Sequence, residues 1–178
     1  MKPIILFLIN SNIWVAFCAL ALAMRSEILL GSTNFKVSQF IFFSTIVAYN
    51  FQRIVRLKKG DDHSYKNWLG ENKKAIFFLI FIAVIACAYL FFGFKSTTQL
   101  TVLFIGIISL LYPFGLREIP FAKIFIISFV WAVSSILLLV FENNIIADQN
   151  IIFHFTSLFW FVFAITVPFD IRDVDCDS

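Results

Sequence analysis

Ala75-Ile-Phe-Phe-Leu-Ile-Phe-Ile-Ala-Val-Ile-Ala-Cys-Ala-Tyr-Leu-Phe-Phe-Gly-Phe94 runs for twenty residues without a charged side chain. As a helix rising about 1.5 Å per residue, that stretch covers the ~30 Å of a bilayer's hydrocarbon core. Hydrocarbon offers no partner to a bare N–H or C=O, so the backbone must pair within the segment. Working outward, five more apolar stretches follow the same pattern: Pro3–Met24, Lys36–Val55, Leu100–Tyr112, Ile119–Phe141 and Ile151–Val167. The one at Leu100 is short, which fits a tilted or partly interfacial helix. Hydrophobic residues make up 61% of the chain and Phe alone takes 25 of 178 positions, far from the composition of a soluble domain. Loops this small leave no room for a separate soluble domain. The expectation is an all-α, polytopic helical membrane bundle of about six transmembrane helices, with residues 1–178 forming one integral-membrane domain.

The charges orient this bundle. Arg53, Arg56, Lys58, Lys59, Lys66, Lys73 and Lys74 lie between the second and third stretches, and the positive-inside rule makes that loop cytoplasmic. Threading six spans alternately then brings Lys2, Arg117, Lys123 and Arg172 to the same side, so eleven of the fourteen Lys and Arg face inward. Both termini are expected in the cytoplasm, and a bacterial inner membrane is the expected location. The basic residues serve orientation, and no nucleic-acid partner is expected. Lys2 before an apolar run imitates a signal peptide, but Ala19-Leu-Ala-Leu-Ala23 leads into Met24-Arg25 and further spans, which favours an uncleaved first helix. Cys18, Cys87 and Cys176 have neither metal nor redox spacing.

Two polar places stand out on that inner face. One is Tyr49-Asn-Phe-Gln-Arg-Ile-Val-Arg-Leu-Lys-Lys-Gly60, at the end of the second stretch. The other is Asp170-Ile-Arg-Asp-Val-Asp-Cys-Asp-Ser178, directly after the sixth. Asp170, Asp173 and Asp177 are spaced i, i+3, i+7, so on a helix they fall within roughly 60° of one another. Oxygen-only donors at such spacing suit Mg²⁺, which takes a few carboxylates together with substrate phosphates. A solvated acidic helix end is the other reading of the same residues. Asp61-Asp-His-Ser-Tyr-Lys-Asn-Trp-Leu-Gly70 reads as a polar loop. His154 reads as an interfacial residue, and Trp14, Trp131 and Trp160 as packing residues.

Val167-Pro-Phe-Asp-Ile-Arg-Asp-Val-Asp-Cys-Asp177 resembles the second aspartate motif of the UbiA superfamily of intramembrane prenyltransferases, D-x-x-D-x-x-x-D, with Asp170, Asp173 and Asp177 in the acidic positions. Pro168 just before it is expected to loosen the helix end. Leu111-Tyr-Pro-Phe-Gly-Leu-Arg117, followed by Ile119-Pro120, is similar to the family's Tyr-Pro-Phe-x-Lys-Arg stretch after the fourth helix. Ser11-Asn-Ile-Trp-Val-Ala16 sits where the first helix of many members has similar residues.

That resemblance implies a helical bundle around a cavity open to the cytoplasm, with Mg²⁺ held by aspartates and in turn holding the diphosphate of an isoprenoid donor. A hydrophobic acceptor, aromatic or lipid, attacks the donor as diphosphate leaves. Asp170, Asp173 and Asp177 become the implied metal ligands. Asn50, Arg53, Arg56, Tyr112, Arg117 and Lys123 become the implied diphosphate contacts. Aligning the family's first motif, N-D-x-x-D-x-x-x-D, on Asn50 places Phe51, Ile54 and Lys58 where aspartates stand. Two readings follow: Arg53 and Arg56 contact the diphosphate in place of a first metal, or they anchor the helix end by the positive-inside rule. The family generally has about nine helices, so the chain is expected to be the N-terminal two-thirds of such a fold. A non-catalytic membrane protein that binds lipid or a partner subunit is the alternative. A transporter fits less well, since the apolar stretches hold few charged residues.

Overall fold

The structure is a computed structural model. It describes residues 3–32, 34–59, 63–114, 122–146 and 148–177, and gives backbone alone at positions 3, 56, 58–59, 63–66, 114, 122–123 and 169–177. The described residues are helical with short connections. In order these are α1 (Pro3–Asn10), α2 (Ile13–Leu29), α3 (Lys36–Lys59), α4 (His63–Phe92), α5 (Ser96–Leu111), a 3₁₀ turn at Tyr112–Phe114, α6 (Ala122–Ala132), a π-helical turn at Val133–Leu137, α7 (Leu138–Asn143) and α8 (Gln149–Asp177). They form two compact units, Met1–Lys95 and Ser96–Ser178.

Among the described residues three helices are long and apolar enough to cross a membrane: Asn67–Phe92, Ile124–Asn143 and Gln149–Pro168. The pair Ile4–Asn10 and Ile13–Leu29 makes a fourth candidate if taken as one broken span. These helices mark the chain as a membrane protein. Their surfaces agree: Phe77, Phe78, Phe81, Ile85, Tyr89 and Phe92 of α4 are all more than half exposed, as apolar side chains are when lipid is the solvent. The segment at Lys36 is a helix of the expected kind, but Ser38, Gln39, Ser44, Thr45, Asn50, Gln52 and Arg53 make it far less apolar than its neighbours. The short α5 has 16 residues.

In the first unit α3 lies between α2 and α4 and runs antiparallel to both. Ser38 on α3 meets Glu27 on α2, whereas Asn50 meets Ser11 at the opposite end. Phe40, near the start of α3, packs edge-on against Phe94, just past the end of α4, with ring centroids 5.3 Å apart. Ala16, Ala19 and Ala23 follow a helical repeat on α2 and are all buried. Such small side chains let two helix backbones approach closely, which replaces the hydrophobic driving force that lipid cannot supply. Ala16, Ile46 and Ala83, one from each of the three helices, form a core with Phe42, Phe43, Val47 and Leu79 around it.

In the second unit α6 packs on α8, with α5 against α7. Phe125 meets Phe163 at 5.1 Å, and Phe159, Trp160 and Phe163 form a ring cluster on α8. The π turn at Val133–Leu137 lies inside the Ile124–Asn143 candidate span. Val133, Ser135 and Ile136 are buried there, followed by Leu138, Leu139 and Val140.

Three elements depart from what the sequence alone suggests. Pro3–Met24 is not one helix: it breaks at Ser11-Asn12 and bends by 69°. Asn12 sits at φ 60°, a left-handed conformation that Asn tolerates better than other side chains. Residues 63–70 are the first two turns of α4 rather than a loop, while Asp61 and Asp62 lie outside the described residues. Pro168 does not end its helix. The backbone stays helical to Asp177, although the missing proline N–H leaves the Ala164 carbonyl without its helical partner.

Candidate functional site

Asn50 and Arg53 stand one turn apart on α3, and both reach the break between α1 and α2. The Asn50 Nδ2 group donates to the Ser11 carbonyl at 2.8 Å and to the Ile46 carbonyl at 2.8 Å. Arg53 Nη1 donates to the Asn10 carbonyl at 3.3 Å. A bend exposes carbonyls that an unbroken helix would have satisfied, and hydrocarbon makes that costly. The sequence answers with donors from the neighbouring helix.

Every carbonyl through the break is met. Phe7 accepts from the Ser11 N–H, Leu8 from the Ser11 hydroxyl and Ile9 from the Asn12 N–H. Asn10 accepts from Arg53, Ser11 from Asn50, and Asn12 from the Ala16 N–H. Donors fare differently. Asn12 is only 7% exposed, yet its Nδ2 has no hydrogen-bond partner among the described residues, and its side chain makes no capping bond to α2. Both Asn50 amide hydrogens are committed, which leaves Oδ1, a buried acceptor that also lacks a partner. Asn50 therefore suits a ligand that donates, such as a metal-bound water or a phosphate hydroxyl, rather than a bare phosphate oxygen.

The break meets α3 at Asn50 and Arg53, and Phe7 of α1 packs on Trp68 at 5.9 Å, beside the start of the Asn67–Phe92 candidate span. Between α1 and α4 runs an open groove of about 520 Å³, lined by Ile4, Leu6, Phe7 and Leu8 on one side and by Trp68, Glu71 and Asn72 on the other.

The other sequence candidates are distributed along the chain. Tyr112 is buried in the 3₁₀ turn after α5. Arg56 follows Arg53 by one turn on α3, and Lys123 lies in the first turn of α6, both with side chains outside the described residues, as is all of Arg117. Asp170, Asp173 and Asp177 lie on the continuous helix α8, which runs nine residues past Pro168, and their side chains too are outside the described residues. Among the described residues no three of His, Cys, Asp and Glu come together as a metal site.

Sequence reasoning missed two features. One is Asn12, whose signal was the Asn10-Ser-Asn12 triplet interrupting an apolar run. The other is Glu27, fully buried, whose Oε2 accepts from the Ser38 hydroxyl at 2.6 Å and which also accepts from the Ser38 backbone N–H. Ser38 is the third residue of α3, so Glu27 acts as a cap supplied from another helix. No family model, no curated protein and no solved structure matches this chain.

Proposed function

We propose that this chain is a UbiA-type membrane prenyltransferase, or the part of one that bears the acidic motif. It transfers an isoprenoid group from a prenyl diphosphate to a hydrophobic aromatic or lipid acceptor. The observation that carries the reading is the helix α8 itself. Its backbone continues past the apolar span through Asp177, so positions 170, 173 and 177 follow one another along one side of an unbroken helix. The proposal includes six spans with both termini cytoplasmic, in a bacterial inner membrane, with the acidic motif on the cytoplasmic face.

The donor set fits Mg²⁺: three carboxylates offering only oxygen, at a spacing a helix gathers to one side. Asp170, Asp173 and Asp177 would hold it. When bound, Mg²⁺ neutralises the charge that builds on a departing diphosphate. Arg53, whose Nη1 donates to the Asn10 carbonyl, is a proposed cationic contact for the diphosphate. Arg56, Arg117 and Lys123 supply further positive charge, and Tyr112 a hydroxyl. Phe-rich walls hold the isoprenoid and exclude water from the reacting carbon.

The test is calorimetric titration of the detergent-solubilised chain with geranylgeranyl diphosphate, with Mg²⁺ and with EDTA. Binding enhanced by Mg²⁺ and lost in Asp173→Asn is expected. Binding indifferent to both the metal and the substitution removes the reading. One observation favours the non-catalytic alternative: Asn50 and Arg53 are engaged in holding a bent helix, which a lipid-binding protein would need equally.

A further inference from the structure

The break at Ser11-Asn12 has an imbalance. Its acceptors are satisfied from Phe7 to Asn12, whereas Asn12 Nδ2 is a donor without a partner, on a side chain more than nine-tenths buried. The same point is the N-terminus of α2, a 17-residue helix whose first N–H groups have no partner within the helix and which carries partial positive charge. Asn12 is its N-cap residue and makes no cap bond. Arg53 brings a guanidinium to the carbonyl of Asn10, two residues before Asn12. A helix N-terminus, an unpaired amide donor and a guanidinium all favour an acceptor group bearing negative charge. The single leftover acceptor, Asn50 Oδ1, suits the hydroxyl of a partly protonated phosphate or a water beside it.

Location narrows the ligand further. The open groove between α1 and α4 is lined by Ile4, Leu6, Phe7 and Leu8, the apolar residues just ahead of the break. Such a neighbourhood suits an amphiphile, with its phosphate at the break and its tail along the groove. We infer that the break between α1 and α2 is a metal-independent site for the phosphate group of an amphiphile, held by Asn12, Arg53 and the first turn of α2. The phosphate belongs either to a phospholipid headgroup or to a prenyl diphosphate. This site does not depend on the acidic motif of α8.

The experiment uses the full chain in a maltoside detergent, which contains no phosphate, with EDTA present throughout. Geranyl diphosphate and dioctanoyl phosphatidic acid are titrated separately by calorimetry into wild type, Asn12→Gly and Arg53→Gln. Asn12→Gly removes the donor while a glycine keeps the left-handed backbone. At least one of the two phosphates is expected to bind in EDTA, and each substitution to weaken it about tenfold or more, as loss of a charge-assisted hydrogen bond does. Far-ultraviolet circular dichroism is expected to stay unchanged in Asn12→Gly. Binding of phosphatidic acid alone assigns the site to a lipid headgroup, and binding of geranyl diphosphate assigns it to the donor. No binding of either phosphate in EDTA overturns the inference, as does binding that neither substitution alters. The two proposals fail separately. Binding that requires Mg²⁺ and is lost only in Asp173→Asn leaves the prenyltransferase reading standing and removes this site, and EDTA-resistant binding lost in Asn12→Gly without any Mg²⁺-dependent component does the reverse.

Discussion

Replacing Asn50 by alanine tests whether one amide holds the bend in the first span. The substitution removes both 2.8 Å bonds, but their consequences differ. Ile46 keeps a partner, because the carbonyl four residues back in a helix is met by the backbone N–H of position 50 itself. The Ser11 carbonyl loses the Asn50 donor, in a place that is fully buried. A buried carbonyl left unpaired costs about 1–3 kcal/mol, whereas side-chain bonds between membrane helices average only about 0.6 kcal/mol and reach about 1.7. Losing the unpartnered Oδ1 offsets part of the cost. The net destabilisation is about 1–2 kcal/mol, which for a chain of this length lowers the melting temperature by about 2–8 °C. Thermal unfolding in detergent reads the size of the effect, and hydrogen exchange at residues 10–13 reads its place. A variant that melts within about 1 °C of wild type, with unchanged exchange at those residues, would show that the bend does not depend on Asn50.

Two further substitutions probe the ends of helices. Glu27→Ala leaves the Ser38 hydroxyl and the first turn of α3 without their acceptor and is expected to cost about 2–3 kcal/mol; Glu27→Gln retains an acceptor oxygen and costs less, so thermal unfolding that ranks Gln as the worse variant refutes the capping role. Asp148, just ahead of α8, accepts from the Ile151 N–H at 3.0 Å and from the Asn150 side chain at 2.9 Å, and these bonds hold its carboxyl below the usual aspartate value of 3.8. Because the folded value is the lower one, the stabilisation is complete above 3.8 and is lost as pH falls through the depressed value. Hydrogen exchange of the Ile151 amide is expected to accelerate over that acid range in wild type and to lose that dependence in Asp148→Ala.

What the sequence made legible was set by how local the cause was. Ala75–Phe94 is uncharged along its whole length, and a bilayer leaves such a stretch one backbone solution, so α4 and its orientation as a helix were readable. Its start was not: Asn67, Trp68 and Gly70 look like loop residues, and only continuity with the apolar part makes them helical. The break at Ser11-Asn12 depends on Asn50 and Arg53, about forty positions away, and no local pattern announces that pairing. Glu27 drew no notice in the sequence, because its partner Ser38 reaches it only once α3 packs on α2. Asn50 drew notice in the sequence through its place in a motif, whereas its visible work is to donate both amide hydrogens to backbone. For Asp170, Asp173 and Asp177 the spacing was legible, and the helix that gives the spacing meaning is present.

The 69° bend also has a consequence for the surrounding lipid. With α1 turned aside, the straight part of the first span is α2 alone, 17 residues, or about 25 Å at the helical rise. That is about 5 Å less than a typical hydrocarbon core. A span too short for its bilayer draws the two leaflets together or is met by polar groups sinking from the surface. The polar side chains at its two ends, Asn12 with Arg53 beside it and Ser26 with Glu27, then belong to a locally thinned collar of membrane. A bilayer of shorter acyl chains would suit this first unit better than a thick one.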